Sequence, residues 1–178
     1  IVAWFLADLG RNGSDQSAEP PVPNLSEAYA EVAVFIRSKA AAVRLAPSSA
    51  TAWGEYAMAL DAHEYRSDAI RCYETANELE PTDARWKYLL ALRIKESNAR
   101  RATSLLDELV SDGHNNVAVV IELADILGQS GKPEELTELL DPQKTDSSSH
   151  PAIIVKIAEN VFADGDTAKA EQLLDLLN

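Results

Sequence analysis

Along this chain, stretches in which apolar residues recur every three or four positions alternate with short runs of Gly, Pro, Asn, Asp and Ser. That recurrence is the helical period, so each stretch carries one apolar face. The first begins at Asn24-Leu-Ser-Glu27, a cap residue with a carboxylate three positions on. Leu25, Tyr29, Val32, Ile36, Ala40 and Val43 follow on one face, up to Ala46-Pro47. The spacing predicts one amphipathic helix over residues 25–46, about six turns long. Beyond it the pattern repeats. Trp53, Tyr56-Ala57 and Leu60 lead to Ala69, Tyr73 and Ala76. Trp86 and Leu89-Leu90 lead to Ala102, Leu106 and Leu109. Val120, Leu123-Ala124 and Leu127 lead to Leu136 and Leu140. Ile154, Ile157-Ala158 and Val161 lead to Ala170, Leu174 and Leu177. The units start at residues 50, 83, 117 and 151, at offsets of 33, 34 and 34. Pro81-Thr82-Asp83, Gly113-His114-Asn115-Asn116 and Asp146 through Pro151 punctuate them. Pro133 followed by Glu134-Glu135 reads as a helix start, where a missing N–H costs nothing and the dipole favours carboxylates.

Trp53-Gly-Glu-Tyr56-Ala57-Met-Ala-Leu60, then Ala69-Ile-Arg-Cys-Tyr73, then Pro81, resembles the tetratricopeptide repeat. That family's unit is a 34-residue helix pair with the signature W-x2-L-G-x2-Y, A-x3-F and a closing P. Here Tyr56-Ala57 stands for Leu-Gly, Leu60 for Tyr and Tyr73 for Phe, and each change keeps size or apolarity. The resemblance implies an all-α, right-handed solenoid of helix–turn–helix pairs with one leading helix and four repeats, at 50–82, 83–116, 117–150 and 151–178. Its small positions are met by Ala57 with Ala69 and by Ala158 with Ala170. Leu90, Arg93 and Leu136 depart from the pattern, so the second and third repeats are expected to pack less regularly. Stacking buries the apolar face that a single pair would leave bare.

The resemblance also places a partner-binding surface on the first helices of successive repeats. Carried over, it comprises Met58, Asp61, Lys87, Ala91, Ile94, Ile121, Asp125, Val155, Glu159 and Phe162. Met58 fits either a contact or a filler between repeats. The residues with which chaperone-tail receptors of the family grip a carboxylate are replaced by Gly54, Met58, Tyr88, Ala118 and Glu122. A receptor of that kind is not expected.

Composition narrows the function. Lys plus Arg number 16 against 29 Asp plus Glu, a net charge of −13. Phosphate contacts need clustered cations, so nucleic acid is an unfavourable partner. Residues 83–116 are nonetheless net +1, with Arg85, Lys87, Arg93, Lys95, Arg100 and Arg101. These form either a dock for an acidic partner or ordinary solvated helix faces. Cys72 is alone, so no intrachain disulfide forms. It is either a packed small hydrophobe or a reactive thiol. His63, His114 and His150 lie far apart, and no glycine-rich phosphate loop or nucleophile elbow is present. No catalytic residue, metal or cofactor is expected.

Both ends invite contacts. Ile1-Val-Ala-Trp-Phe-Leu-Ala-Asp-Leu9 is apolar, but as a helix it spans about 14 Å, less than half a bilayer core. Ile1, Val2, Trp4, Phe5 and Leu6 read either as the remnant of a membrane anchor or as a segment that docks on protein. Residues 10–24, rich in Gly, Ser and Pro, read as a linker. Leu173, Leu176 and Leu177 are candidates for docking at the other end. Together these features suggest a non-catalytic scaffold, membrane-associated on the exported or periplasmic side of a bacterium. It would serve as an accessory or assembly subunit of a membrane complex. The resemblance extends to anchored bacterial repeat proteins of that kind, cytochrome-maturation factors included. The alternatives are the substrate-recruitment region of a larger multidomain enzyme and a soluble homo-oligomer.

Overall fold

The computed structural model describes residues 19–141 and 150–177. Among these residues the chain is all-α, with nine helices and no strand. The chain divides into two compact units, Ile1–Cys72 and Tyr73–Asn178, and the division falls inside the third helix.

The first unit holds α1 (Ala30–Leu45), α2 (Ala50–Asp61) and the start of α3 (Arg66–Leu79). The leading helix begins at Ala30, five residues later than its apolar pattern suggests. Asn24 does not cap it. Its Oδ1 accepts the N–H of Ser26 at 3.1 Å, and the chain turns with Ala28 N–H donating to the Leu25 carbonyl. An Asn side chain that bonds two residues ahead favours a turn over a helix. Tyr29 is therefore exposed, while Ala33, Ile36, Ala40 and Val43 form the buried stripe. α2 is capped by Ser49, whose Oγ accepts from Ala52 N–H at 3.2 Å. Trp53, Tyr56, Ala57 and Leu60 are buried, as are Ala69 and Cys72 of α3. The Trp53 indole donates to the Pro47 carbonyl at 2.8 Å. This closes the α1–α2 connection.

The linker expected over 10–24 also ends sooner than predicted. Pro20, Pro21 and Pro23 are buried. The Tyr56 hydroxyl donates to the Pro21 carbonyl at 2.5 Å, and the Tyr65 hydroxyl to the Asn24 carbonyl at 3.3 Å. Proline withdraws its own N–H and pushes the preceding residue into extended geometry. The segment thus cannot pair as helix or strand, and side chains supply its partners.

The second unit holds the rest of α3, then α4 (Ala84–Ile94), α5 (Ala99–Ser111), α6 (Val117–Gln129), α7 (Pro133–Glu138), α8 (Pro151–Ala163) and α9 (Thr167–Asp175). Polar residues before these helices act as caps. Asp83, Asn98, Asn116, His150 and Asp166 each accept from a backbone N–H in the first turn of the following helix. Each such cap is worth about 1 kcal/mol. α4 packs on α5, α5 on α6, α6 on α7 and α8, and α8 on α9. The core runs through Trp86, Leu90, Leu106, Leu109, Leu123, Leu136, Ile153 and Ile157. At α7 Leu136 and Leu139 are buried, whereas Leu140, expected from the apolar pattern, is only half-buried.

Candidate partner-binding surface

In the first unit, Met58 stands out from α2 at 49% exposure, and Asp61 at the helix end is half-buried. In the second unit the expected surface divides. Lys87, Ala91 and Ile94 of α4 are buried and belong to the core. The Lys87 ammonium reaches Glu108 Oε2 at 3.2 Å and Asp112 Oδ2 at 3.6 Å. A long aliphatic stem lets a lysine cross apolar ground to find such partners. These three residues offer no surface to a ligand, which corrects the assignment made from sequence.

The part of it that remains accessible in this unit lies on α6 and α8. Ile121, Asp125 and Val155 are half-buried, Glu159 is exposed, and Phe162 is 61% exposed. Asp125 and Glu159 share a cation that the sequence pattern did not single out. Lys156 Nζ sits 3.3 Å from a carboxylate oxygen of each. Burial works against its charge, but the two carboxylates outweigh it and hold its pKa above the usual lysine range. The two acids are therefore engaged from within the protein. Asn160 adds a second tie between the helices, its Nδ2 donating to the Ala124 carbonyl at 3.2 Å. Next to it, Gly128 gives α6 the room to approach α8.

Between α8 and α9 runs an open groove of about 420 Å³. Val155, Ala158, Phe162, Ala170 and Leu174 form its apolar lining, and Glu159 and Glu171 stand at its edge. The small pair Ala158 and Ala170 creates the depth. Of the leucines expected to dock, Leu173 is buried, so it serves the fold instead. A helix turns successive residues by about 100°, and so it is Leu174 that faces outward with Leu176 and Leu177. The repeat pattern assigned Leu174 to packing between repeats, which hid its exposure. Ile1, Val2, Trp4, Phe5 and Leu6 lie outside the described residues.

No protein-family model and no curated protein matches the chain. Among the described residues, no three His, Cys, Asp or Glu side chains gather as metal ligands would. No helix among them is long and apolar enough to cross a membrane. Burial pushes the Cys72 thiol up to about 12, and the neighbouring Asp68 carboxylate adds to the rise. At neutral pH almost none of it is thiolate, which makes it a packing residue and not a nucleophile.

Proposed function

We propose that this chain is a non-catalytic scaffold of the tetratricopeptide type, which holds a partner protein. The observation that carries the reading is the α8–α9 groove. It is apolar, open and edged with carboxylates, and it leaves Phe162 and Leu174 exposed. Apolar ground of this kind with a polar edge suits an amphipathic segment laid along it. The sequential packing of α4 through α9 supports the repeat assignment, because each helix rests on its chain neighbours. So do the buried small residues Ala57, Ala69, Ala158 and Ala170 at the positions where the family needs close helix contact. We further propose that the apolar residues 1–9 attach the scaffold to a membrane or a membrane subunit. In that role the protein is an accessory or assembly factor.

The test is cross-linking mass spectrometry of the full chain in extracts of its native source, run beside Phe162→Glu. Partner cross-links should concentrate on α8 and α9 and fall by roughly tenfold when a buried anchor of this size becomes charged. Equal capture by both chains would sink the groove as the binding site. Removing residues 1–18 and finding the same membrane-complex subunits bound would sink the tether.

A further inference from the structure

The α1–α2 face already carries a peptide, namely the chain's own residues 19–24, Glu-Pro-Pro-Val-Pro-Asn. We infer that this face is a recognition site for extended Pro-Pro-x-Pro segments, occupied here in cis and open to the same motif from a partner protein. The site lies wholly in the first unit and is independent of the α8–α9 groove.

Four observations define the ligand. The three prolines are buried, whereas Val22 between them is 77% exposed. The position marked x is therefore free in identity. Both tyrosine hydroxyls bond backbone carbonyls, those of Pro21 and Asn24, so the hydrogen bonding reads the course of the main chain and not its side chains. Arg44 Nε lies 3.4 Å from Glu19 Oε1, which favours an acidic residue before the first proline. Finally, a groove of about 470 Å³ runs beside the segment, between it and Ile36, Arg37, Ala40, Arg44 and Tyr56. The segment packs on the helices through its prolines, while Glu19, Val22 and Asn24 stay exposed to solvent.

The physical advantage is preorganisation. Glu19, Pro20 and Val22 each precede a proline and are held extended, and the prolines have fixed φ. A free peptide of this sequence loses little entropy on docking, which is the basis of other proline-rich recognition by aromatic surfaces. The cis copy has the further benefit of its tether, an effective concentration on the order of millimolar. A partner's segment succeeds only when it is itself held nearby or when the cis copy is displaced.

The probe is a fluorescein-labelled peptide of residues 17–26, followed by anisotropy. It is titrated into the full wild-type chain and into full chains that carry Pro20→Ser, Pro21→Ser and Pro23→Ser together. The substituted chain should bind saturably, and the wild type roughly tenfold more weakly because its own segment competes. Adding Tyr56→Phe to the substituted chain should weaken binding roughly fivefold, the loss of one hydrogen bond. A peptide with Val22→Lys should bind as well as the parent. Circular dichroism checks the helices. If the triple variant fails to fold, the single variant Pro23→Ser gives the same comparison with less contrast. Equal binding by both chains, no binding to a folded variant, or indifference to the prolines of the peptide would each overturn the proposal. So would a concentration-dependent dimer of the wild type that the triple substitution abolishes, since the occupant would then be a second copy.

Discussion

Replacing Gly128 by alanine sets helix propensity against helix packing, and the geometry says which wins. In an isolated helix the change gains about 1 kcal/mol. Here the new Cβ would stand 2.7 Å from Asn160 Cβ, with Asn160 Cγ and Oδ1 closer still. Carbon atoms pack at roughly 3.5 Å or more, so the shortfall is roughly 0.8 Å. Rotating the Asn160 side chain moves Cγ and Oδ1 but leaves Cβ in place. α6 and α8 must part, and overpacking of that kind costs about 1–3 kcal/mol. Parting also stretches the Asn160 bond to the Ala124 carbonyl, worth about 1 kcal/mol. The net expectation for Gly128→Ala is a loss of about 1–3 kcal/mol. In a chain of this size each kcal/mol corresponds to roughly 2–4 °C in Tm. The decisive variant is the double, Gly128→Ala with Asn160→Gly, which moves the missing Cβ to the other helix. Its loss should be smaller than the sum of the single losses by at least about 1 kcal/mol. Urea unfolding followed by circular dichroism measures all four chains. If Gly128→Ala is as stable as the parent, or the double variant is merely additive, then the close approach does not govern this interface.

Other outcomes follow from single features. Glu64 has a φ of +64° just after α2, a left-handed position held by Gly113, Gly131 and Gly165 after α5, α6 and α8. Glu64→Gly should therefore stabilise the chain by about 0.5–1 kcal/mol in thermal unfolding. The two core tryptophans should respond differently to phenylalanine. Trp53→Phe gives up the bond to Pro47, whereas the buried Trp86 Nε1 has no acceptor among the described residues. Trp86→Phe should thus be the milder of the pair by about 1 kcal/mol in denaturant titration. Alkaline stability should fall early. Burial raises Cys72 from 9.0 to about 12, and raises Tyr56 from 10.0 to about 12. Both groups favour the fold fully below about pH 9, and that contribution disappears as the pH climbs towards 12. Cys72→Ala should blunt the fall, and a thiol reagent should label Cys72 only as the chain unfolds. At the acid end, the hydrogen bond from Arg85 leads the causes that hold Asp83 below the usual carboxylate range. Its share of stability is present above 3.8 and lost as pH drops through the folded value, a loss that Asp83→Asn should remove.

The sequence by itself determined what is local. Apolar residues at three-to-four spacing fix which residues form helices, because a helix face must bury its stripe wherever it lies. Pro, Gly and the capping residues fix most of the ends, since they act within one turn: Pro133 and Pro151 open α7 and α8, and Asn116 caps α6. Asn24 misled because the same side chain that caps a helix also closes a turn, and only its surroundings decide between them.

What the tertiary structure decided is which polar and apolar residues find partners across the chain. Lys87 looked like a surface cation, yet two carboxylates on and just after the next helix draw it into the core. Residues 19–24 looked like free linker until Tyr56 and Tyr65, 35 and 41 positions away from the carbonyls they bind, gave the prolines somewhere to rest. Leu173 and Leu174 are chemically alike, and only the placement of α9 against α8 buries one and exposes the other. Periodicity tells a residue which face it shares. It cannot say how much of that face a neighbour covers, because coverage depends on helix approach, and here small residues such as Gly128, Ala158 and Ala170 set that distance.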